Sequence, residues 1–226
     1  MDSLEKKLCH SFRDRALLVT ALTHSSYANE NRSRGGESNE RLEFLGDSVL
    51  GMVVADALYR RFPELPEGRM TRLRAQLVCE ESLHKVAAEL GLGEYVRLGR
   101  GEEHTGGRRR TSILADAVEA VIAALYLDGG METARDFIER QILSSLDGAG
   151  PVTRLEDCKT ELQELVQKKS GQVLSYELLG ESGPDHDKTF TSQVCLNGRA
   201  IGSGSGRTKK EAEQAAARAA LEELRA

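Results

Sequence analysis

Residues 112–127 carry only two charges, Asp116 and Glu119, in a run otherwise dominated by alanine, valine, leucine and isoleucine. A stretch that apolar is destined for a core, and its two acids stand three residues apart, which places them on one face of a helix. Residues 39–50 repeat the pattern, with Glu40, Glu43 and Asp47 at spacings of three and four inside a second apolar run. An uncompensated buried carboxylate is expensive, so such groups are paired with a cation, hydrogen-bonded or neutralised. The chain must therefore fold so that two acid-bearing helices meet their compensation. That is either a divalent metal or arginines such as Arg41, Arg72, Arg74 and those at 108–110.

The rest of the first 146 residues reads as helix almost throughout. Leu17, Leu18, Ala21 and Leu22 follow Asp14 at helical spacing, and residues 23–29 then look polar and turn-like. After a loop at 31–38, Ser38 or Asn39 is positioned to cap a helix reaching about Phe62, with Leu42, Leu45, Val49 and Val53 as its core stripe and Pro63 as its stop. Amphipathic helices are expected from Glu67, with Met70, Leu73 and Leu77, and over residues 81–90, ended by Gly91. Residues 99–110 form a glycine- and arginine-rich loop, and a last helix follows Asp128-Gly129-Gly130.

Residues 147–154, glycine- and proline-bearing and poor in large apolar side chains, read as a linker between a domain at 1–146 and another at 155–226. Beyond them the pattern changes. Cys158, Leu162, Leu165 and Val166 form one helix stripe, residues 173–179, 189–196 and 199–203 favour strands, and Asn197-Gly198 is a two-residue hairpin signal. Phe190, Ser192, Val194 and Leu196 fall on one strand face, with Thr191, Gln193 and Cys195 on the other. An alanine-rich helix from Lys209 to Leu224 closes an α-β-β-β-α unit. The fold class is thus an all-α N-terminal domain followed by a small α+β domain.

Thr208 and Glu211 suit a capping box, which places Lys209 and Lys210 in a first turn where cations are disfavoured unless an anion binds. Gln163, Glu164 and Gln167 lie opposite the apolar stripe of their helix, able to hydrogen-bond ribose hydroxyls, and the loop holding His186 could enter a minor groove. Together these features resemble the double-stranded-RNA-binding domain family. The resemblance implies RNA contacts from Gln163, Glu164, Gln167, His186, Lys209 and Lys210, with Asp185 and Asp187 beside His186 as a departure from the pattern. The net charge of −5 leaves phosphate contact to such local patches.

In the first domain the oxygen-rich acids, with no cysteine or histidine pattern near them in sequence, suit magnesium or manganese better than zinc. The run Asn39-Glu40-Arg41-Leu42-Glu43-Phe44-Leu45-Gly46-Asp47 resembles the ribonuclease III signature, supported by residues 23–29 and 112–120. The resemblance covers nearly the whole chain in the bacterial order of nuclease domain then RNA-binding domain. It implies that Glu43, Asp47, Asp116 and Glu119 bind Mg2+, with Mn2+ a possible substitute, and that Asp47 and Glu119 are catalytic. It further implies an endonuclease cutting double-stranded RNA to 5′-phosphates, 3′-hydroxyls and short 3′ overhangs in ribosomal and messenger RNA processing. A homodimer anchored by Phe44 is part of the same resemblance, while Glu40 and Glu67 match acidic positions near the cleft without a ligand role. From the residues alone, a non-cleaving duplex-binding protein and a phosphohydrolase of small phosphates stay open as alternatives. Four dispersed cysteines, a charged start and the lack of a long uncharged apolar run predict a cytoplasmic protein with no membrane partner.

Overall fold

A computed structural model describes residues 1–31, 36–146, 158–167, 171–184 and 188–225. The chain divides into two compact units, Met1–Gly148 and Ala149–Ala226. The first contains helices α1 (Asp2–Leu8), α2 (Arg15–Ala21), α3 (Ser25–Glu30), α4 (Glu40–Arg61), α5 (Glu67–Leu77), α6 (Glu80–Leu90), α7 (Arg100–His104) and α8 (Thr111–Gln141). The apolar run at 112–127 makes α8 the central helix. Ile113, Leu114, Ala117, Val118, Val121, Ile122 and Leu125 are all buried, and α4, α6 and α2 pack against them. Gly130 interrupts α8 with φ 84° and ψ 179°, a conformation that a side chain would strain, so the chain turns there before its last helical segment.

Several local readings change. Residues 24–29 are not a turn: the His24 ring accepts a hydrogen bond from the Ser26 N–H and caps α3. Histidine is outside the usual set of capping residues, which is why its neighbourhood reads as a turn. Neither Ser38 nor Asn39 caps α4 by its side chain. Asn39 instead donates its N–H to the Thr23 carbonyl at 2.8 Å, and the Ser38 hydroxyl donates to Glu40 at 2.7 Å. The 99–110 loop contains α7 and a 3₁₀ turn, Gly107–Arg109. Arg108 and Arg110 hold it together by ion pairs to Glu103 and Glu102, both 2.6 Å.

The N-terminal helices are fastened to α8 through Asp128. Its carboxylate accepts the Arg13 and Asp14 backbone N–H groups at 3.1 and 2.8 Å and pairs with His10 Nε2 at 2.7 Å. Asp14 in turn caps α2, accepting the Ala16 N–H at 2.9 Å.

The second unit comprises α9 (Cys158–Gln167), β1 (Leu174–Ser182), β2 (Thr189–Leu196), β3 (Arg199–Gly206) and α10 (Lys209–Arg225), with an antiparallel sheet in the order β1-β2-β3. Asn197 and Gly198 both have positive φ, 52° and 81°, as a tight hairpin of right-handed twist requires. Cys158, Leu162 and Val166 of α9 meet Val194 and the alanine face of α10, Ala216, Ala217 and Ala220, in one core. Gly204 is a close-approach position, because a Cβ there would run into the α10 backbone at Ala215 and Ala216. Ser192 and Val194 face inward as their alternation implies. Cys195 is buried as well, because the pairing register shifts between Val194 and Cys195 and breaks the strict two-residue period.

Candidate metal and nucleic-acid sites

The first site is made by one glycine. At Gly46 the backbone of α4 lies so close to α8 that a Cβ would overlap the Glu119 carbonyl. That approach sets Glu43, one turn before Gly46, against Asp116 and Glu119, and one carboxylate oxygen from each of the three lies within 4.8 Å of the others. All three residues are half-buried. Asp47 is exposed and stands outside that group of three, although its charge acts on both Glu43 and Glu119.

Burial and mutual repulsion among the acids set the electrostatics. Burial, then the charges of Asp47, Asp116 and Glu43, pushes the Glu119 carboxyl up to about 7. Burial also raises Glu43, with added repulsion from Asp116, Glu40 and Asp47. Asp116 is raised by burial and by Glu80, and the nearby His24 partly offsets this. Among the described residues no lysine or arginine forms an ion pair with Glu43, Asp47, Asp116 or Glu119. The arginine alternative is therefore not realised among the described residues: Arg108 pairs with Glu103 and donates to the Gly93 and Val96 carbonyls, and Arg110 pairs with Glu102. A set of carboxylate oxygens converging on one point suits a hard divalent cation such as magnesium or manganese.

His24 and Glu80 are neighbours of this centre that the sequence pattern does not reveal. Glu80 opens an amphipathic helix, where an acid is expected from the helix dipole alone. His24 lies in the 23–29 segment that supports the family resemblance, but no spacing marks it as a neighbour of the carboxylates. Glu40 is exposed and bonded to Ser38, and Glu67 accepts the Thr71 hydroxyl at 2.7 Å; neither belongs to the converging group.

In the second unit Gln163, Glu164 and Gln167 are exposed on α9, opposite the buried Leu162 and Val166. Lys209 and Lys210 are exposed in the first turn of α10. Thr208 caps this helix, its hydroxyl accepting the Glu211 N–H at 3.1 Å. The Glu211 carboxylate reaches back one residue further than a capping box requires, to the Arg207 N–H at 2.8 Å. His186 and the linker at 147–154 lie outside the described residues.

Comparison with known proteins places the chain as a whole in a family. A ribonuclease-III-like family profile matches residues 14–146, and a double-stranded RNA binding motif matches residues 158–224. The chain belongs to the ribonuclease III family. It is 52% identical over 223 residues to Ribonuclease 3 of Geobacillus kaustophilus, covering 99% of this chain and 90% of that protein. Against Ribonuclease 3 of Listeria monocytogenes the identity is 48%, covering 99% and 97%. The nuclease domain of ribonuclease III from Campylobacter jejuni superposes with a TM-score of 0.59 at 42% identity, spanning 62% of this chain and 94% of that domain. That domain is described as flexible in a region involved in dimer formation.

One more surface of this ribonuclease III family member stands apart from the carboxylates. Phe44 lies one residue beyond Glu43 on α4 and points outward, 79% exposed. Two and four turns further along the same helix, Met52 and Tyr59 are also exposed. They line a pocket of about 490 Å³ with Met70 and Arg74 of α5.

Proposed function

We propose that the protein is a magnesium-dependent endoribonuclease that cleaves double-stranded RNA, leaving 5′-phosphate and 3′-hydroxyl ends with short 3′ overhangs, in the processing of ribosomal and messenger RNA. The observation that carries this reading is the convergence of Glu43, Asp116 and Glu119 at the α4–α8 crossing, with no lysine or arginine among the described residues paired to them, in a chain that also carries a double-stranded RNA binding motif. A small-phosphate hydrolase would have no use for that motif.

In this reading Glu43, Asp47, Asp116 and Glu119 hold the metal, and Asp47 and Glu119 stand nearest the chemistry. Magnesium, for which manganese can substitute, would supply polarisation of a phosphoryl oxygen and activation of water when bound. The carboxylates attract the cation by their charge, and the cation would relieve their mutual repulsion. Gly46 keeps the two helices close enough for that repulsion to be shared between them. The RNA-binding unit offers Gln163, Glu164 and Gln167 to ribose hydroxyls, and Lys209 and Lys210 to phosphates. His186, between β1 and β2 in sequence, is the remaining proposed contact.

The working unit in this proposal is a homodimer joined through the nuclease domain, residues 1–146, with residues 147–154 as a linker to the RNA-binding domain, residues 155–226. The exposed Phe44 ring is the kind of aromatic anchor that inserts into a partner's apolar pocket, and the Met52–Tyr59–Met70 pocket supplies one on the same face. Knob and socket on one surface allow a two-fold pairing in which each copy gives and receives. No helix among the described residues is long and apolar enough to cross a membrane, and the proposed compartment is the cytoplasm.

The test is incubation of the purified protein with a perfect RNA duplex and magnesium, beside the Glu119→Ala variant. Fragments with 5′-phosphates from the wild type and none from the variant, at equal duplex binding, are expected. An intact duplex in the wild-type lane would point instead to a protein that shields RNA without cutting it.

A further inference from the structure

His24 is built into this fold more firmly than a helix cap requires. Its own N–H donates to the Arg97 carbonyl at 3.1 Å, and the preceding Thr23 carbonyl accepts the Asn39 N–H at 2.8 Å. The Asn39 carbonyl in turn accepts the Glu43 N–H at 2.8 Å. A short chain of backbone bonds thus ties the histidine to the turn of α4 that carries a site carboxylate.

The ring is fixed as well. Ser26 Oγ accepts the Gly99 N–H at 2.9 Å and lies 2.8 Å from His24 Nδ1, with its hydroxyl proton available for that nitrogen. The Ser26 N–H points at the same nitrogen from 3.3 Å. With Nδ1 accepting the Ser26 N–H, the neutral ring carries its proton on Nε2. That Nε2–H has no hydrogen-bond partner among the described residues, on a half-buried side chain within electrostatic reach of Asp116 and tied through Thr23 and Asn39 to the turn that carries Glu43. A phosphodiester approaching this centre meets four acids, so a neutral donor at its edge offers an anion a bond without competing for the metal.

We propose that His24 is a substrate-binding residue whose Nε2–H donates a hydrogen bond to a phosphodiester oxygen of RNA seated at the carboxylate centre. Ser26 acts as the positioning residue that fixes the donor tautomer. The inference rests on the nuclease reading above, and its test separates the two.

Asparagine places an acceptor where Nδ1 stands and loses the distal donor, whereas glutamine places an amide N–H near Nε2 and loses the cap. His24→Asn is therefore expected to keep the wild-type melting temperature while kcat/KM for a duplex falls about ten- to a hundredfold, the range for losing one hydrogen bond to a charged group. His24→Gln should melt lower yet retain more activity than His24→Asn. Nitrogen-15 NMR of the metal-free protein gives a readout independent of cleavage, and should show the Nε2–H tautomer in the wild type and a mixture in Ser26→Ala. The proposal is overturned if His24→Asn cuts as fast as wild type, if activity follows melting temperature across both variants, or if the wild-type ring carries its proton on Nδ1. Failure of the wild-type protein to cleave at all would instead sink the nuclease reading, with the tautomer result still standing.

Discussion

Glu119 shows how a site can be at odds with the stability of the chain that contains it. Its carboxyl is raised from an ordinary glutamate value to about 7, first by burial and then by Asp47, Asp116 and Glu43. Between the unfolded value and about 7 the folded protein therefore holds a proton that the unfolded chain has released. Stability must fall as pH rises through that window, the reverse of a salt-bridged acid. The metal-free protein should melt higher near pH 5.5 than near pH 8. Glu119→Gln should flatten that slope, and adding magnesium to the wild type at pH 8 should recover the loss; a wild-type melting temperature independent of pH would contradict the crowding of these acids. Because protons and metal compete for the same oxygens, the magnesium concentration giving half-maximal cleavage should also rise as pH drops below about 7. Titration of activity against magnesium at several pH values measures this directly.

The helices that carry the site depend on a few small residues and caps. Gly46→Ala puts a methyl group into the Glu119 carbonyl, so α4 must move away from α8. Overpacking of this kind costs about 1–3 kcal/mol, and the displacement separates Glu43 from its partners. Cleavage should therefore suffer more than stability, as denaturant melts and initial rates on one preparation would reveal. A similar argument applies to Thr208, whose replacement by alanine should cost about 1 kcal/mol of RNA-binding-domain stability. These elements also mark what could be read in advance. The three-residue spacing of Asp116 and Glu119 and the apolar run of α8 are local patterns, as is the Asn197-Gly198 pair of the hairpin; the same kind of spacing also set Glu40 and Asp47 beside Glu43, and of those three only Glu43 joins the converging group. The cap by His24, the approach of Glu80 to Asp116 and the burial of Cys195 at a register shift depend on distant segments meeting in space, and no spacing encodes them. Gly46 sat in plain view within the motif, but its role needs the position of α8.

Taken as one molecule, the chain carries a net charge of −5 and yet has to hold a polyanion, so its RNA contacts must be few and local. Replacing Lys209 and Lys210 together by alanine should weaken binding to all duplex sequences alike and reduce the steepness of log affinity against log salt by about one unit for each phosphate no longer neutralised. An unchanged slope would assign both lysines to a solvated surface. A two-stranded substrate sets a second requirement: one carboxylate centre faces one phosphodiester, so cutting both strands in a single encounter calls for two centres, which the homodimer proposed above would supply through Phe44. Its ring is 79% exposed on the helix that bears Glu43, and water around so large an apolar surface is unfavourable unless something covers it. Phe44→Asp removes the apolar knob and adds a charge where the pocket of Met52, Tyr59 and Met70 would receive it. Sedimentation equilibrium should show a shift from dimer to monomer, and paired strand cleavage should give way to single nicks or to silence. The monomer should melt close to wild type at matched low concentration, since Phe44 contributes nothing to the core of its own chain. A variant that stays dimeric would return Phe44 to the ordinary surface and move the interface elsewhere.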